Sequence, residues 1–364
     1  MYLCIRKVAN EITNLFDKRE QNQARLVMPS VEKWRVKLRI LLKKDMLNRR
    51  ILRIKAFKVA YSAALDGNFS TRDAEVELNN SCEATRDLFV YMSGIVAPLT
   101  RTARERIESL RSKFNPTEEE RNPNMKFCDN RLAQLLADDE DLTKAMKQRK
   151  FSWDQYDILL KKVLDSVYSK KYFKDYMTSG KSSLEEDCRL FVRIFEEELV
   201  DMPALEHILE DMSLYWNDDL AYALTWCCRS FEDIAKGGRW TLPYLYQSQM
   251  KGASSGVEDD RTFVRRLLNL TLVNYDKYSQ LVYDSAKGWD AERLFLSDVV
   301  LVVMGIAEIL NFPNIPVKVS MNEYVEISKY YGTPKSRVFV NGILDRIVKK
   351  LTEEGKVTKI ETNI

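Results

Sequence analysis

The stretch PNIPVKVSMNEYVEISKYYGTPKSRVFVNGILDRIVKKL, Pro313 to Leu351, decides the fold. Ile315-Pro316 reads as an extended entry, because the residue before a proline is pushed out of the helical region. Val317 to Tyr331 reads as an amphipathic helix, and Gly332 stands where a helix end prefers glycine. Thr333-Pro334 restarts the chain with proline near a first helical position. From Ser336 to Leu351, Val338, Phe339, Ile343, Leu344 and Ile347 share the inward side of a last helix. Spacing alone gives two packed helices.

Working outward, the rest of the chain is helical in the same way. Just upstream, residues 299–309 (VVLVVMGIAEI) are apolar nearly all round, as a core helix is. Only 12 glycines and 9 prolines occur in 364 residues, which disfavours a strand-and-turn architecture. A helix is expected from Leu47 to Leu65, stopped by Asp66-Gly67-Asn68, and Ser70-Thr71 opens the next. Asn115-Pro116 is a further break. Ser152 to Phe173 reads as one helix with Trp153, Tyr156, Leu159, Leu160 and Val163 on one face. Ser182-Ser183-Leu184-Glu185 opens another run, to about Val200. The expected organisation is an extension over 1–45, an N-terminal helical bundle over 46–115, an inserted helical region over 116–256 with a linker near 237–256, and a C-terminal bundle over 257–364.

Residues 1–58 carry 16 Lys or Arg against 5 Asp or Glu, on a chain whose net charge is only +3. A basic front on an acidic body is the footprint of polyanion binding, or of a basic tail with no specific role. The six cysteines show no metal-ligand spacing, and His207 is the sole histidine. No cofactor or metal is therefore expected. Without a long uncharged apolar run no membrane span is expected, and scattered thiols fit a reducing cytoplasm.

The order of residues carries the reading further. Pro316–Val319, Asn322–Glu326, Gly332 and Phe339–Asp345 resemble, in sequence and spacing, the C-terminal motif of the NusB transcription antitermination family. Trp289, Arg293 and Ala307 to Leu310 match family positions as well. Leu47–Ser62 (LNRRILRIKAFKVAYS) is similar to the family's arginine-rich first helix ending in Tyr-Ser. The resemblance covers about 46–98 and 257–357; the large insertion between is a departure, similar in layout to elongated, Bacteroidetes-like members.

This resemblance implies an all-α, NusB-like fold of two helical bundles, here with an inserted helical region. It implies binding of a boxA-type single-stranded RNA together with the ribosomal protein NusE, and read-through in ribosomal RNA operons within the RNA polymerase antitermination complex, with no reaction catalysed. Arg49, Arg50 and Arg53 match the family's arginines. Arg49 and Arg53 are one helical turn apart and share a face, suited to phosphate or to simple solvation. Tyr61 also matches, as a base-stacking ring or as a buried one. Lys335 and Arg337 open the last helix, where the dipole favours an anion; many members carry an acid at the Lys335 position. Asn322, Glu323, Phe339, Asn341, Gly342 and Asp345 are expected to be mainly structural, Gly342 by permitting close packing. The NusE surface is expected around Arg293–Leu310.

Two other classes compete. RNA methyltransferases with such a module add an α/β catalytic domain, but no glycine-rich strand-to-helix turn occurs here. Glu185-Glu186-Asp187 and Asp259-Asp260 are explained as helix-start charges. A helical interaction scaffold that has lost RNA binding is the alternative.

Overall fold

Helices begin where a side chain can satisfy the free N–H groups of a first turn. Asn48 accepts from the backbone N–H of Ile51 (3.0 Å), Asp139 from Leu142 (2.8 Å), Ser183 from Glu186 (3.2 Å) and Asp259 from Thr262 (2.8 Å). The computed structural model describes residues 46–246, 259–286 and 294–357. In chain order the helices are α1 (Arg49–Asp66), α2 (Thr71–Ser93), α3 (Val96–Arg111), α4 (Glu118–Arg121), α5 (Arg131–Ala137), α6 (Glu140–Arg149), α7 (Asp157–Ser169) and α8 (Lys171–Thr178). They continue with α9 (Leu184–Ile194), α10 (Pro203–Met212), α11 (Leu220–Ala235), α12 (Asp260–Val273), α13 (Tyr275–Ser285), α14 (Leu296–Asn311), α15 (Val317–Tyr331) and α16 (Ser336–Glu353). Every helix-length element among the described residues is helical, and the protein is all-α.

Two compact units divide the chain. One takes Leu47–Cys82 and the described residues from Leu245 on; the other takes Glu83–Tyr244. The division falls inside α2 and at residue 244, rather than after 115 and 256, because α2 continues without a break through residue 82. The expected linker is also different in its described part. Trp240 is buried and stacks on Phe89 at 5.8 Å, which anchors the stretch around it, within residues 237–244, to the second unit's core. Residues 247–256, like the extension over 1–45, lie outside the described residues.

In the first unit α14 is the central rod. Residues Asp298 to Ile309 are all buried, with α1, α12, α13, α15 and α16 packed around them. Gly305 makes this closeness possible: a Cβ there would stand 2.9 Å from Leu344 Cδ2. α1 packs on α12 and α14, and buries Leu52, Ala56, Phe57 and Ala60.

In the second unit α9 lies along α11. Tyr91, Trp153 and Trp216 stack in the core, and the two indole N–H groups donate to the carbonyls of Tyr91 (3.0 Å) and Ala84 (2.8 Å). The stretch from Ser152 to Phe173 is two helices. Lys170 adopts extended backbone (φ −82°, ψ 144°) and separates α7 from α8, while Trp153 precedes α7 and turns inward. α9 ends in a π-helical turn, Phe195–Leu199, which sets Glu198 inward to accept from Tyr172 (3.2 Å) and Lys170 (3.3 Å).

A candidate nucleic-acid interface on the first unit

Helix α1 brings its arginines to the first unit in three different ways. Arg53 is buried. Its Nε and Nη2 donate to the two carboxylate oxygens of Glu308 at 2.7 and 2.8 Å. Glu308 lies in the last turn of α14 with no solvent exposure, and it also accepts from Ser320 Oγ and Tyr324 Oη, each at 2.8 Å. Burial works against both charges, yet the mutual hydrogen bonds win: Arg53 is held firmly protonated and Glu308 below the usual carboxylate range. The Tyr324 hydroxyl is pushed well above its ordinary value by burial and by the Glu308 charge.

Arg50 makes a second fork, to Glu323 on α15 at 2.8 and 2.6 Å, with a third of its side chain exposed. The Glu323 hydrogen bond raises its pKa despite partial burial. Arg49 reaches across to α12, donating to Asp260 at 2.9 Å and lying over the Phe263 ring at 4.8 Å. Lys55 is buried. The first helix is thus fastened to α12, α14 and α15 by its own arginines, and Arg53 presents no surface to a ligand.

Farther along α1, Phe57 meets Tyr331 at 5.4 Å and Tyr61 at 6.0 Å, and Lys58 lies over the Tyr331 ring at 5.8 Å. Arg50 with Glu323, then Phe57 with Tyr331, show α1 and α15 running the same way. This places half-buried Tyr61 near the end of α15, where the turn to α16 begins. In that turn Lys335 and Arg337 are exposed, and neither has an ion-pair partner among the described residues.

The turn is held from beneath. Buried Asp298 accepts from Ser336 Oγ (2.7 Å), and the same Oγ accepts from the backbone N–H of Thr333 (2.7 Å). Gly332 is required because a Cβ there would come within 2.4 Å of Ser336 Cβ. The other oxygen of Asp298 has no partner, and burial pushes its carboxyl up to about 6 although the Ser336 hydrogen bond opposes this.

Within the motif, Phe339 is buried, Glu323 clamps Arg50, and Asp345 pairs with Lys349 at 2.7 Å. Gly342 is half-buried. Asn322 and Asn341 are exposed and make no side-chain hydrogen bond among the described residues. Trp289 and Arg293 lie outside the described residues. Among those described, no cluster of His, Cys, Asp and Glu is placed to hold a metal, and no helix is long and apolar enough to cross a membrane.

The comparisons with known proteins bear on this same unit. The NusB family model matches residues 245–349. The transcription antitermination protein NusB of Geotalea daltonii is 31% identical over 121 residues, which are 32% of this chain and 83% of that protein.

The chain belongs to the NusB family.

The NusB of Salinibacter ruber is 35% identical over 99 residues (27% of this chain, 62% of the relative), and that of Thermodesulfovibrio yellowstonii 38% over 92 residues (25% and 61%). The chain thus spans about three fifths of the length of these two relatives. No solved structure matches it. Arg50, Arg53, Glu308 and Glu323 are in this light the ion pairs that close a NusB bundle. Sequence spacing had not singled out Glu308. An acid inside the otherwise apolar stretch 299–309 was the available signal, since a buried carboxylate needs an opposite charge.

Proposed function

We propose that the protein is a non-enzymatic transcription antitermination factor that acts in the cytoplasm, binding a boxA-type single-stranded RNA together with the ribosomal protein NusE. In this role it joins the RNA polymerase antitermination complex and favours read-through in ribosomal RNA operons. Family membership gives the class. The observation that carries RNA binding is the pair of exposed, carboxylate-free cations, Lys335 and Arg337, at the start of α16, with Tyr61 toward the end of α15 through the contacts of Phe57 with Tyr61 and Tyr331. A helix N-terminus with two free cations suits a phosphate, and a tyrosine edge near it suits an unstacked base.

Arg49 and Arg50 lend their exposed thirds to the same RNA while their carboxylate partners fix their direction. Arg53 acts through the fold: its pair with Glu308 holds α1 in place. Asn322 and Asn341 are free to face a macromolecular partner. Because Asp298 to Ile309 are buried, the NusE contact falls outside that stretch of α14. Electrophoretic shift of a boxA-type RNA, with and without NusE, tests the proposal. A shift strengthened by NusE is expected. Absence of any shift at low salt contradicts it and leaves the interaction scaffold.

A further inference from the structure

The second unit carries a feature that RNA binding does not use. Phe114, on the loop after α3, is 99% exposed. It forgoes the roughly 150–250 Å² of burial an aromatic side chain normally reaches. The last turns of α3, just before it in sequence, wall a cavity of about 270 Å³. Ile107, Leu110, Phe127, Phe173 and Met177 make the cavity apolar, and Phe114 is not among its lining residues. Leu110 and Glu119, both at the cavity, bracket Phe114 in sequence, four residues before it and five after.

Charge is arranged to match. Arg111 and Lys113 flank the knob, whereas Glu119 stands exposed at the cavity. Lys113 is held by Glu120 at 2.7 Å. Arg111 and Glu119 have no ion-pair partner among the described residues. Arg106, also on the lining, is neutralised by Asp165 at 2.6 Å.

A knob and an apolar hole drawn from one short stretch of one chain suit an isologous two-fold contact, in which each copy gives one and receives one. We propose that this face of the second unit pairs with the same face of a second copy of the chain, Phe114 of each filling the other's Leu110–Phe173 cavity and Arg111 of each meeting Glu119 of the other. Two rings account for roughly 300–500 Å², well under the ~1,200–2,000 Å² of a standard stable interface. The association is therefore reversible and concentration-dependent.

Sedimentation velocity of the full chain across a concentration series, reaching roughly 500 μM, tests this. A monomer–dimer equilibrium is expected. Phe114→Glu, at a solvent-exposed site that leaves the unfolding midpoint unchanged, should raise the dissociation constant by roughly thirtyfold or more. Arg111→Glu and Glu119→Arg should each weaken it, and the two together should restore it. A monomer at every concentration overturns the proposal. So does a dimer indifferent to Phe114→Glu, and so does a monomer that uses Phe114 to hold a different protein.

Discussion

Arg53 and Glu308, 255 residues apart in sequence, meet fork to fork at 2.7 and 2.8 Å with almost no water on either side. Such a pair is weak evidence of net stabilisation, because desolvating two ions offsets most of their attraction. Its asymmetry is what matters. Removing Glu308 leaves Arg53 charged and buried with only Glu323, 3.8 Å from its Nη1, to answer it, and removing Arg53 leaves the Glu308 charge to two hydroxyls alone. The pair therefore fixes which helix lies against α14, and with it where the exposed part of α1 stands.

Glu308→Ala should accordingly destabilise the protein by about 3–5 kcal/mol, read by urea unfolding. The double change Arg53→Met with Glu308→Leu should cost much less than either single change. A cost for the double variant equal to the sum of the two single costs would show that the two side chains do not depend on each other.

This pair also shows how far the sequence could be read. The helical class, the helix starts at Ser183 and Asp259, and the two-helix motif from Val317 to Leu351 were legible because period and capping are local. The pairing of Arg53 was not. Four-residue spacing says that Arg49 and Arg53 share a face, but not whether that face meets water or α14; only the distant Glu308 decides it. The unit border inside α2 was hidden for a related reason, since nothing in a continuous helix marks where its contacts change. Trp240 similarly turned part of a glycine-flanked linker into anchored chain.

Gly332→Ala should displace the Ser336 side chain, because the new Cβ would fall within 2.4 Å of Ser336 Cβ. The Asp298–Ser336 hydrogen bond would be lost, at about 1–3 kcal/mol. The φ of Gly332 is −119°, open to any residue, so the cost comes from crowding. Ser336→Ala combined with Gly332→Ala should not recover the loss, because the approaches to Ser336 Cβ (2.4 Å) and to the Ser328 carbonyl (2.7 Å) remain; full recovery would put the strain in the hydroxyl alone.

Stability should show two opposite pH responses. Glu308 is held below the usual carboxylate range, so its contribution is present above that range and is lost as pH falls through its folded value. Asp298 is raised to about 6, so the folded state holds its proton longer than the unfolded chain. Its effect is a loss of stability as pH rises from about 4 to about 6, at most about 3 kcal/mol, and constant above. In Asp298→Asn that loss should vanish from a urea-unfolding series over this window. An unchanged slope would remove Asp298 as its source.

Asn322→Ala and Asn341→Ala should leave thermal stability within about 0.5 kcal/mol, since both side chains are exposed and without hydrogen bonds. Their effect should appear in partner binding, measured as NusE affinity in the presence of RNA. A large drop in stability from either change would return these residues to the framework.

The measurement that bears most directly on the account is fluorescence anisotropy of a labelled boxA-type RNA across a salt series, for the natural chain and for Lys335→Ala with Arg337→Ala. The account predicts binding at low salt, weaker binding by the double variant, and a salt slope reduced by about 1.4 for two lost phosphate contacts on a single strand, with unfolding unchanged. Identical affinity and slope for both proteins, or no binding at low salt by the natural chain, would contradict it.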